Sequence, residues 1–99
     1  MTEDLYISDA IEQKLSNKHS LTRIEVEEAW AAYDGITLVD DREEHLTNPP
    51  TEWFLVKAPT GKILKVVFVP DDDGICYLKS AYEANQAVIR MFKRNGGKL

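Results

Sequence analysis

The sequence predicts one α+β domain over residues 1–99, in which two N-terminal helices precede a four-stranded antiparallel meander sheet and a C-terminal helix follows it. Three observations lead to this prediction. The chain has 99 residues, of which 43% are hydrophobic and 29% charged, as expected for one globular core. Apolar residues recur at helical spacing near both ends of the chain. Between them, segments of alternating polarity are separated by short turns, which is typical of an antiparallel meander.

Two helices are predicted before the sheet. Ser8 is a suitable N-cap for the first helix, which runs to about Lys18 and carries one narrow apolar stripe. His19 then lies at its C-terminal end, where cations suit the helix dipole. Residues 22–25 have the capping-box pattern Thr-x-x-Glu, so we expect the second helix to begin there. It should end at Gly35.

Four strands and a third helix follow along the chain. The predicted strands are Ile36–Asp40, Trp53–Lys57, Lys62–Val69 and Ile75–Ser80, and the predicted helix is Ala84–Asn95. Upstream of all of them, Leu5–Ile7 forms either a short strand or an extended lead-in to the first helix.

Alternation along the three longer strands sorts their side chains onto two faces of the sheet. The first face is almost wholly apolar and should form the core: Phe54, Val56, Leu64, Val66, Phe68, Cys76, Leu78 and Ser80. The second face mixes aromatic, lysine and aliphatic side chains: Trp53, Leu55, Lys57, Ile63, Lys65, Val67, Val69, Ile75, Tyr77 and Lys79. Either a helix or a partner covers this second face, or its lysines hold phosphates while Trp53 and Tyr77 stack on the bases of single-stranded RNA.

The net charge of −5 conceals an asymmetry between the two halves of the chain. Residues 1–50 contain 4 Lys/Arg and 12 Asp/Glu, whereas residues 51–99 contain 8 Lys/Arg and 5 Asp/Glu. The second half, including Arg90 and Arg94 of the last helix, can therefore meet an anionic ligand even though the whole chain is acidic. The alternative is that these arginines are simply solvated at a helix end.

Several site types are not supported by the sequence. The single cysteine, Cys76, excludes an internal disulfide and a cysteine-based zinc cluster. Residues 71–74, Asp-Asp-Asp-Gly, lack the alternate spacing and closing glutamate of a calcium loop. We therefore expect no metal and no cofactor. Because no signal peptide or transmembrane pattern is recognisable, we also expect a cytoplasmic protein that does not bind membranes.

Three stretches of the chain resemble one family of proteins. They are Lys18-His19 with residues 22–29, Asp41-Arg42-Glu43 with Trp53-Phe54, and Ser80-Ala81 at the end of the last strand. In this order they are similar to the K-H-x-V…E-A, D-x-R-E…E-R-[FW] and S-A-R segments of the BrnT toxins, the RelE-like ribonucleases of bacterial toxin–antitoxin pairs. The resemblance implies a RelE-like fold, metal-independent RNA cleavage and a ribbon-helix-helix antitoxin as partner, with no direct binding of DNA. Tyr82 stands where the third motif has an arginine.

Metal-independent RNA cleavage needs a base for the 2′-hydroxyl, an acid for the leaving oxygen and cations on the phosphate. His45 is the best titratable candidate, since imidazole works near neutral pH, but it is equally typical of an exposed loop. Arg42 either clamps a phosphate or pairs with its acidic neighbours. Tyr82 either donates a proton or stacks on a base, or it caps the core at a strand–helix junction. Lys79 should lie near Tyr82.

Two functions are compatible with these residues. The first is a toxin-like ribonuclease, with Arg42, His45, Lys79 and Tyr82 as its catalytic set. The second is a non-catalytic binding or regulatory module on the same fold, in which the face around Trp53 and Tyr77 holds a peptide or helix of a partner. The overall acidity and the replacement of the family arginine by Tyr82 favour the second. A small-molecule enzyme is disfavoured because no phosphate loop, catalytic triad or cofactor motif is present.

Overall fold

The computed structural model describes residues 1–40 and 49–99, which form three helices and five strands. In chain order the elements are β1 Asp4–Tyr6, α1 Asp9–His19, α2 Arg23–Ala32, β2 Leu38–Val39, β3 Glu52–Lys57, β4 Ile63–Pro70, β5 Ile75–Glu83 and α3 Gln86–Arg94. The strands make one sheet in the order β1-β5-β4-β3-β2. The prediction of an α+β fold with three helices is confirmed.

The sheet is mixed and has one strand more than the sequence predicted. Strands β2 to β5 form the expected antiparallel meander, but β1 adds to the outer edge of β5 in parallel, with Leu5 opposite Cys76. The prediction of a purely antiparallel four-stranded sheet was therefore wrong in this respect. A meander leaves both outer strands with unpaired backbone groups, and β1 satisfies part of one such edge.

The N-terminal ends of the three helices are fixed by side-chain caps. The Ser8 hydroxyl accepts a hydrogen bond from the Ile11 amide at 3.2 Å. At α2 the predicted capping box is confirmed: the Thr22 hydroxyl accepts from the Glu25 amide at 3.2 Å, and the Glu25 carboxylate accepts from the Thr22 amide at 3.1 Å. Asn85 caps α3 in the same way, so this helix begins two residues later than predicted.

Helix α2 ends at Ala32 instead of the predicted Gly35. Tyr33 leaves the helical conformation, with φ −84° and ψ 133°, and its ring stacks on Phe54 with the centroids 4.0 Å apart. Its hydroxyl donates to the carbonyl oxygen of Ile36. This contact shortens the helix, and β2 begins only at Leu38.

A β-bulge in β5 changes which side chains face the core. Val67 lies opposite Ser80 and Phe68 lies opposite Leu78, so Lys79 is the additional residue between them. As a result Ala81 takes the core position and is fully buried. The prediction that Ser80 continues the core face was wrong for this reason, and β5 runs on to Glu83 instead of ending at Ser80.

The two faces of the sheet are covered by different helices. On the first face the indole of Trp30, from α2, packs against Phe54 and Phe68 with centroids 5.8 and 5.0 Å away. On the second face Phe92, from α3, lies 5.9 Å from the ring of Trp53. Helix α3 thus covers part of the face whose covering the sequence left open. No helix in the described ranges combines the length and hydropathy that a bilayer-spanning segment needs.

Candidate functional site

A groove of about 350 Å³ lies on the second face, between the edge of the sheet and helix α3. Its lining consists of Leu38, Val39, Asp40, Trp53, Lys65, Val88, Met91 and Asn95. Strand β2 supplies one wall, because Leu38 pairs directly with Trp53. The other wall comes from α3, where Met91 remains 43% exposed at the rim. The groove therefore combines apolar side chains with polar groups, as ligand pockets commonly do.

Lys65 is the positively charged residue in the described lining of this groove, and its ammonium group contacts two aromatic rings. Its Nζ atom lies 4.6 Å from the centroid of Trp53 and 5.7 Å from that of Tyr82. The antiparallel register explains the arrangement, since Lys65 is directly opposite both Leu55 and Tyr82, and Trp53 is the diagonal neighbour. Contacts of this kind contribute about 0.5–2 kcal/mol each, depending on how far the cation is removed from water.

His19 also contacts the ring of Tyr82. The imidazole and phenol centroids are 5.5 Å apart, with 37° between the ring planes. His19 occupies the last turn of α1, which closes at Ser20 with φ 54° and a hydrogen bond from the Ser20 amide to the Leu15 carbonyl. The side chains of Lys65, Tyr82 and His19, which we call the Lys65 cluster, thus form one continuous series.

His19 lies at a helix end, as the sequence predicts, but it is not among the site residues predicted from the sequence. A signal was present, because Lys18-His19 begins the first of the three stretches that resemble the toxin family. Tyr82 was included, and the structure joins it to Lys65. Arg42 and His45 fall within residues 41–48, outside the described part of the chain, and their roles stay predictions.

Lys57 and Lys79 differ in their relation to the Lys65 cluster. Lys57 is exposed and lies opposite Ile63, in the row of side chains next to Lys65 on the same face. Lys79 is exposed at the bulge and is not part of the groove lining. Lys57 therefore extends the positive charge of Lys65 along the face, whereas Lys79 lies apart from the groove.

The opposite end of the second face is acidic. Tyr77 pairs with Val69 on β4 and packs edge-on against Tyr6, with centroids 5.6 Å apart. Its pKa is raised chiefly by the negative charge of Asp73, and further by burial and by Asp71 and Tyr6. Negative charge that disfavours ionisation of the phenol also repels a phosphate group. The predicted stacking role of Tyr77 would thus place RNA beside these carboxylates.

The basic residues of α3 lie on a different side of the helix from the groove. Arg90 and Arg94 are exposed and one turn apart. The groove wall is made by Val88, Met91 and Asn95, which follow the i, i+3, i+7 spacing of another helix face. The two arginines can therefore raise the local potential without lining the groove.

Cys76 is a structural residue of the core. It is 3% exposed, and burial, together with the charges of Glu3 and Glu52, raises the pKa of its thiol to about 11. Because the thiolate is the nucleophilic form, this cysteine is inert at neutral pH. Within residues 1–40 and 49–99, no three histidine, cysteine or acidic side chains come together as a possible metal site.

No protein-family model matches this chain, and no curated protein matches it. The chemistry of the site is therefore the basis for a functional proposal. The ammonium group of Lys65 lies near the phenol ring of Tyr82, the same ring contacts the imidazole of His19, and Lys65 lines a groove with both apolar and polar side chains. Such a set can bind a phosphate, exchange protons with it and hold an apolar or aromatic group nearby.

Proposed function

We propose that this chain is a divergent member of the BrnT/RelE-like toxin family that binds and cleaves RNA at the Lys65 cluster. The observation that supports this most is the position of the Lys65 ammonium group, 4.6 Å from Trp53 and 5.7 Å from Tyr82 at the edge of the groove. A lysine already held by two rings loses less side-chain freedom on binding a phosphate than a free one does.

The order of elements also supports the proposal. Two helices, an antiparallel meander and a C-terminal helix are the elements that the family resemblance implies, and all of them are present. The parallel strand β1 is an addition to that expectation. The Tyr82 substitution changes the chemistry within the site, since a phenol replaces the charged guanidinium of the family motif.

The proposed reaction is transesterification without a metal. The 2′-hydroxyl loses its proton to an imidazole and attacks the adjacent phosphorus, which forms a cyclic 2′,3′-phosphate and breaks the bond to the 5′ oxygen. Tyr82 donates the proton that the leaving 5′ oxygen needs, and Lys65 stabilises the negative charge on the phosphate oxygens. His19 is the imidazole within the described cluster, and His45 stays a sequence-based candidate for the same role.

Expression in a bacterial host tests this function. The wild-type chain should arrest growth and fragment transcripts within the first hour after induction, whereas Lys65→Met and Tyr82→Phe should not. Lys62→Met is the matched control, because Lys62 is exposed in the β3–β4 turn and its substitution removes the same charge. Normal growth and intact RNA with soluble wild-type protein would contradict the proposal.

A second candidate is a non-catalytic module that binds a partner protein. It is favoured by the apolar residues exposed around the groove, Val39 at 52% and Met91 at 43%, and by the acidic surroundings of Tyr77. The partner would be a peptide or helix of an antitoxin-like ribbon-helix-helix protein encoded next to this chain. Co-purification of the two, weakened by Lys65→Glu and Tyr77→Ala without any RNA cleavage, would favour the module over the ribonuclease.

A further inference from the structure

Lys57 is a second cation on the face of the sheet that carries Lys65. Lys57 lies directly opposite Ile63, and Lys65 comes two residues after Ile63 on the same strand, so the two lysines are diagonal neighbours across β3 and β4. Such neighbours are about 7–8 Å apart and belong to the same face. The two side chains therefore begin at adjacent positions on this face, near the β3–β4 turn.

Neither lysine forms an ion pair with a residue in the described part of the chain. Arg23, by contrast, pairs with Glu12 and Glu27 on the two N-terminal helices. Lys57 is exposed, and the half-buried Lys65 contacts aromatic rings. In water two such cations repel each other weakly, and anions bound to them offset this repulsion. The pair is therefore suited to negatively charged groups that are themselves close together.

Lys79, which is exposed at the bulge of β5, is farther from Lys65 than Lys57 is. Tyr82 lies directly opposite Lys65, and Lys79 comes three residues before Tyr82, roughly 10 Å away along the strand. Farther in the same direction is the acidic β4–β5 turn of residues 71–74. A nucleic-acid strand bound at Lys65 is therefore attracted on the side of Lys57 and repelled on the side of this turn.

We infer that Lys57 binds the phosphate next to the one that Lys65 holds, so that the site takes an RNA strand with two successive phosphates. This inference rests on the proposed function, because the phosphate at Lys65 is the one that the reaction attacks. Proteins that bind single strands without reading their sequence use positive charge that follows the backbone in this way. A lysine has a compact charge on a flexible stem, so Lys57 can adjust to the spacing of the phosphates.

The second phosphate contact determines which RNA the site prefers. A dinucleotide has one phosphate, which Lys65 alone binds, whereas a trinucleotide has two. One exposed ion pair contributes little, so the gain in affinity from the contact with Lys57 should be about two- to fivefold. Interior segments of an RNA strand should therefore bind more tightly than dinucleotides.

NMR titration with short oligomers tests the inference separately from cleavage. The probes are trimers of 2′-O-methyluridine, in which the 2′ oxygen cannot attack. One trimer has two charged phosphates, and in two further trimers either the first or the second linkage is a neutral methylphosphonate. Chemical shifts of the isotope-labelled protein, with the indole signal of Trp53 as the reporter near Lys65, give each dissociation constant at one fixed salt concentration.

The measured quantity is the ratio of the affinity for the charged trimer to that for a neutralised trimer. This ratio should be about two- to fivefold larger in wild type than in Lys57→Met, whereas Lys57→Arg should keep the wild-type ratio. Lys65→Met should weaken binding of all three probes. Lys62→Met is the matched control, since Lys62 is exposed near Lys57 but lies outside both strands, and it should keep the wild-type ratio. The NMR spectrum of each variant also shows whether it is folded.

The outcomes separate the two proposals. A ratio that Lys57→Met leaves unchanged, or that Lys62→Met lowers equally, would overturn the second phosphate contact and leave RNA binding at Lys65 intact. Affinities that Lys65→Met leaves unchanged would overturn the proposed function. If no probe shifts any signal at millimolar concentration, both proposals are wrong.

Discussion

Lys65 is the residue on which the proposed function depends most. The residue is half-buried, and the rings of Trp53 and Tyr82, over which its ammonium group lies, partly replace the water that this group loses. The methylene groups of such a lysine can pack on the sheet while its ammonium group reaches the groove edge. The position thus favours contact with an anion that enters the groove.

The salt dependence of RNA binding measures how many phosphates the protein contacts. For single strands, the slope of log affinity against log salt concentration changes by about 0.7 for each contact. Lys65→Met should therefore reduce this slope by about 0.7 in anisotropy titrations at several salt concentrations. Lys62→Met should leave it unchanged. Equal slopes for wild type and Lys65→Met would mean that Lys65 does not contact a phosphate.

Tyr82 can be tested separately for its ring and its hydroxyl. Tyr82→Phe keeps the ring that packs against Lys65 and His19 and removes only the proton donor. The rate of RNA cleavage should fall by about 10²–10⁴-fold, the usual contribution of general acid catalysis, while the affinity for RNA stays within about twofold. A parallel loss of affinity and rate would instead indicate a structural role. Single-turnover kinetics with labelled RNA gives both quantities.

Cys76 makes the free energy of unfolding depend on pH. Its pKa is raised to about 11 in the folded protein, whereas an unfolded thiol has a pKa of about 8.5. The folded state therefore keeps the proton that the unfolded state loses, and the stabilisation from this group is complete below pH about 8.5 and is lost as pH rises towards about 11. Urea unfolding of wild type and Cys76→Ala over this pH range should show a stability difference that varies with pH. A constant difference would contradict the shift.

At the scale of elements, the cap of α2 has a measurable contribution. Thr22 and Glu25 satisfy each other's backbone amides at the start of this helix. Thr22→Ala should lower the free energy of unfolding by about 1 kcal/mol, within the usual range of about 0.5–2 for a lost N-cap. Thr2→Ala is the control, since Thr2 is exposed and outside any helix or strand. An unchanged urea midpoint for Thr22→Ala would contradict the role of the cap.

Elements defined by local signals were predictable from the sequence. The caps at Ser8 and Thr22 and the turns at 58–62 and 71–74 are set by a few neighbouring residues, and the structure has them where the sequence placed them. The alternation along β3 and β4 likewise predicted correctly that Trp53 and Lys65 share a face. Each of these predictions needs only contacts within a short stretch of chain.

Features that depend on distant contacts were not predictable. The sequence left open whether Leu5–Ile7 is a short strand or an extended lead-in, because so short a segment has no distinct pattern, and the pairing of β1 with the open edge of β5 decides for a strand. The bulge at Lys79 leaves no mark in the sequence either, because lysine there continues the apparent alternation. The pairing of Tyr82 with Lys65 depends on this bulge, so it could not be deduced from the sequence. The contact of Tyr82 with His19 depends in turn on how α1 packs on β5.

At the scale of the whole molecule, charge varies along the second face of the sheet. The cations Lys57 and Lys65 lie towards the β3–β4 turn, and the acidic turn containing Asp71 and Asp73 lies at the other end. A negatively charged strand should therefore contact the first end and avoid the second. The total charge of −5 is thus unevenly distributed along this face, and the described lining of the groove has one cation, Lys65, and one carboxylate, Asp40.

Cleavage of RNA by the purified protein in the presence of a chelator tests the central claim most directly. Wild-type protein and Lys62→Met should cleave a labelled single-stranded RNA and leave a cyclic 2′,3′-phosphate, which chromatography of the products identifies. Lys65→Met should lose this activity while remaining folded. Cleavage by Lys65→Met at the wild-type rate, or no cleavage by folded wild-type protein, would contradict the assignment of ribonuclease chemistry to this site.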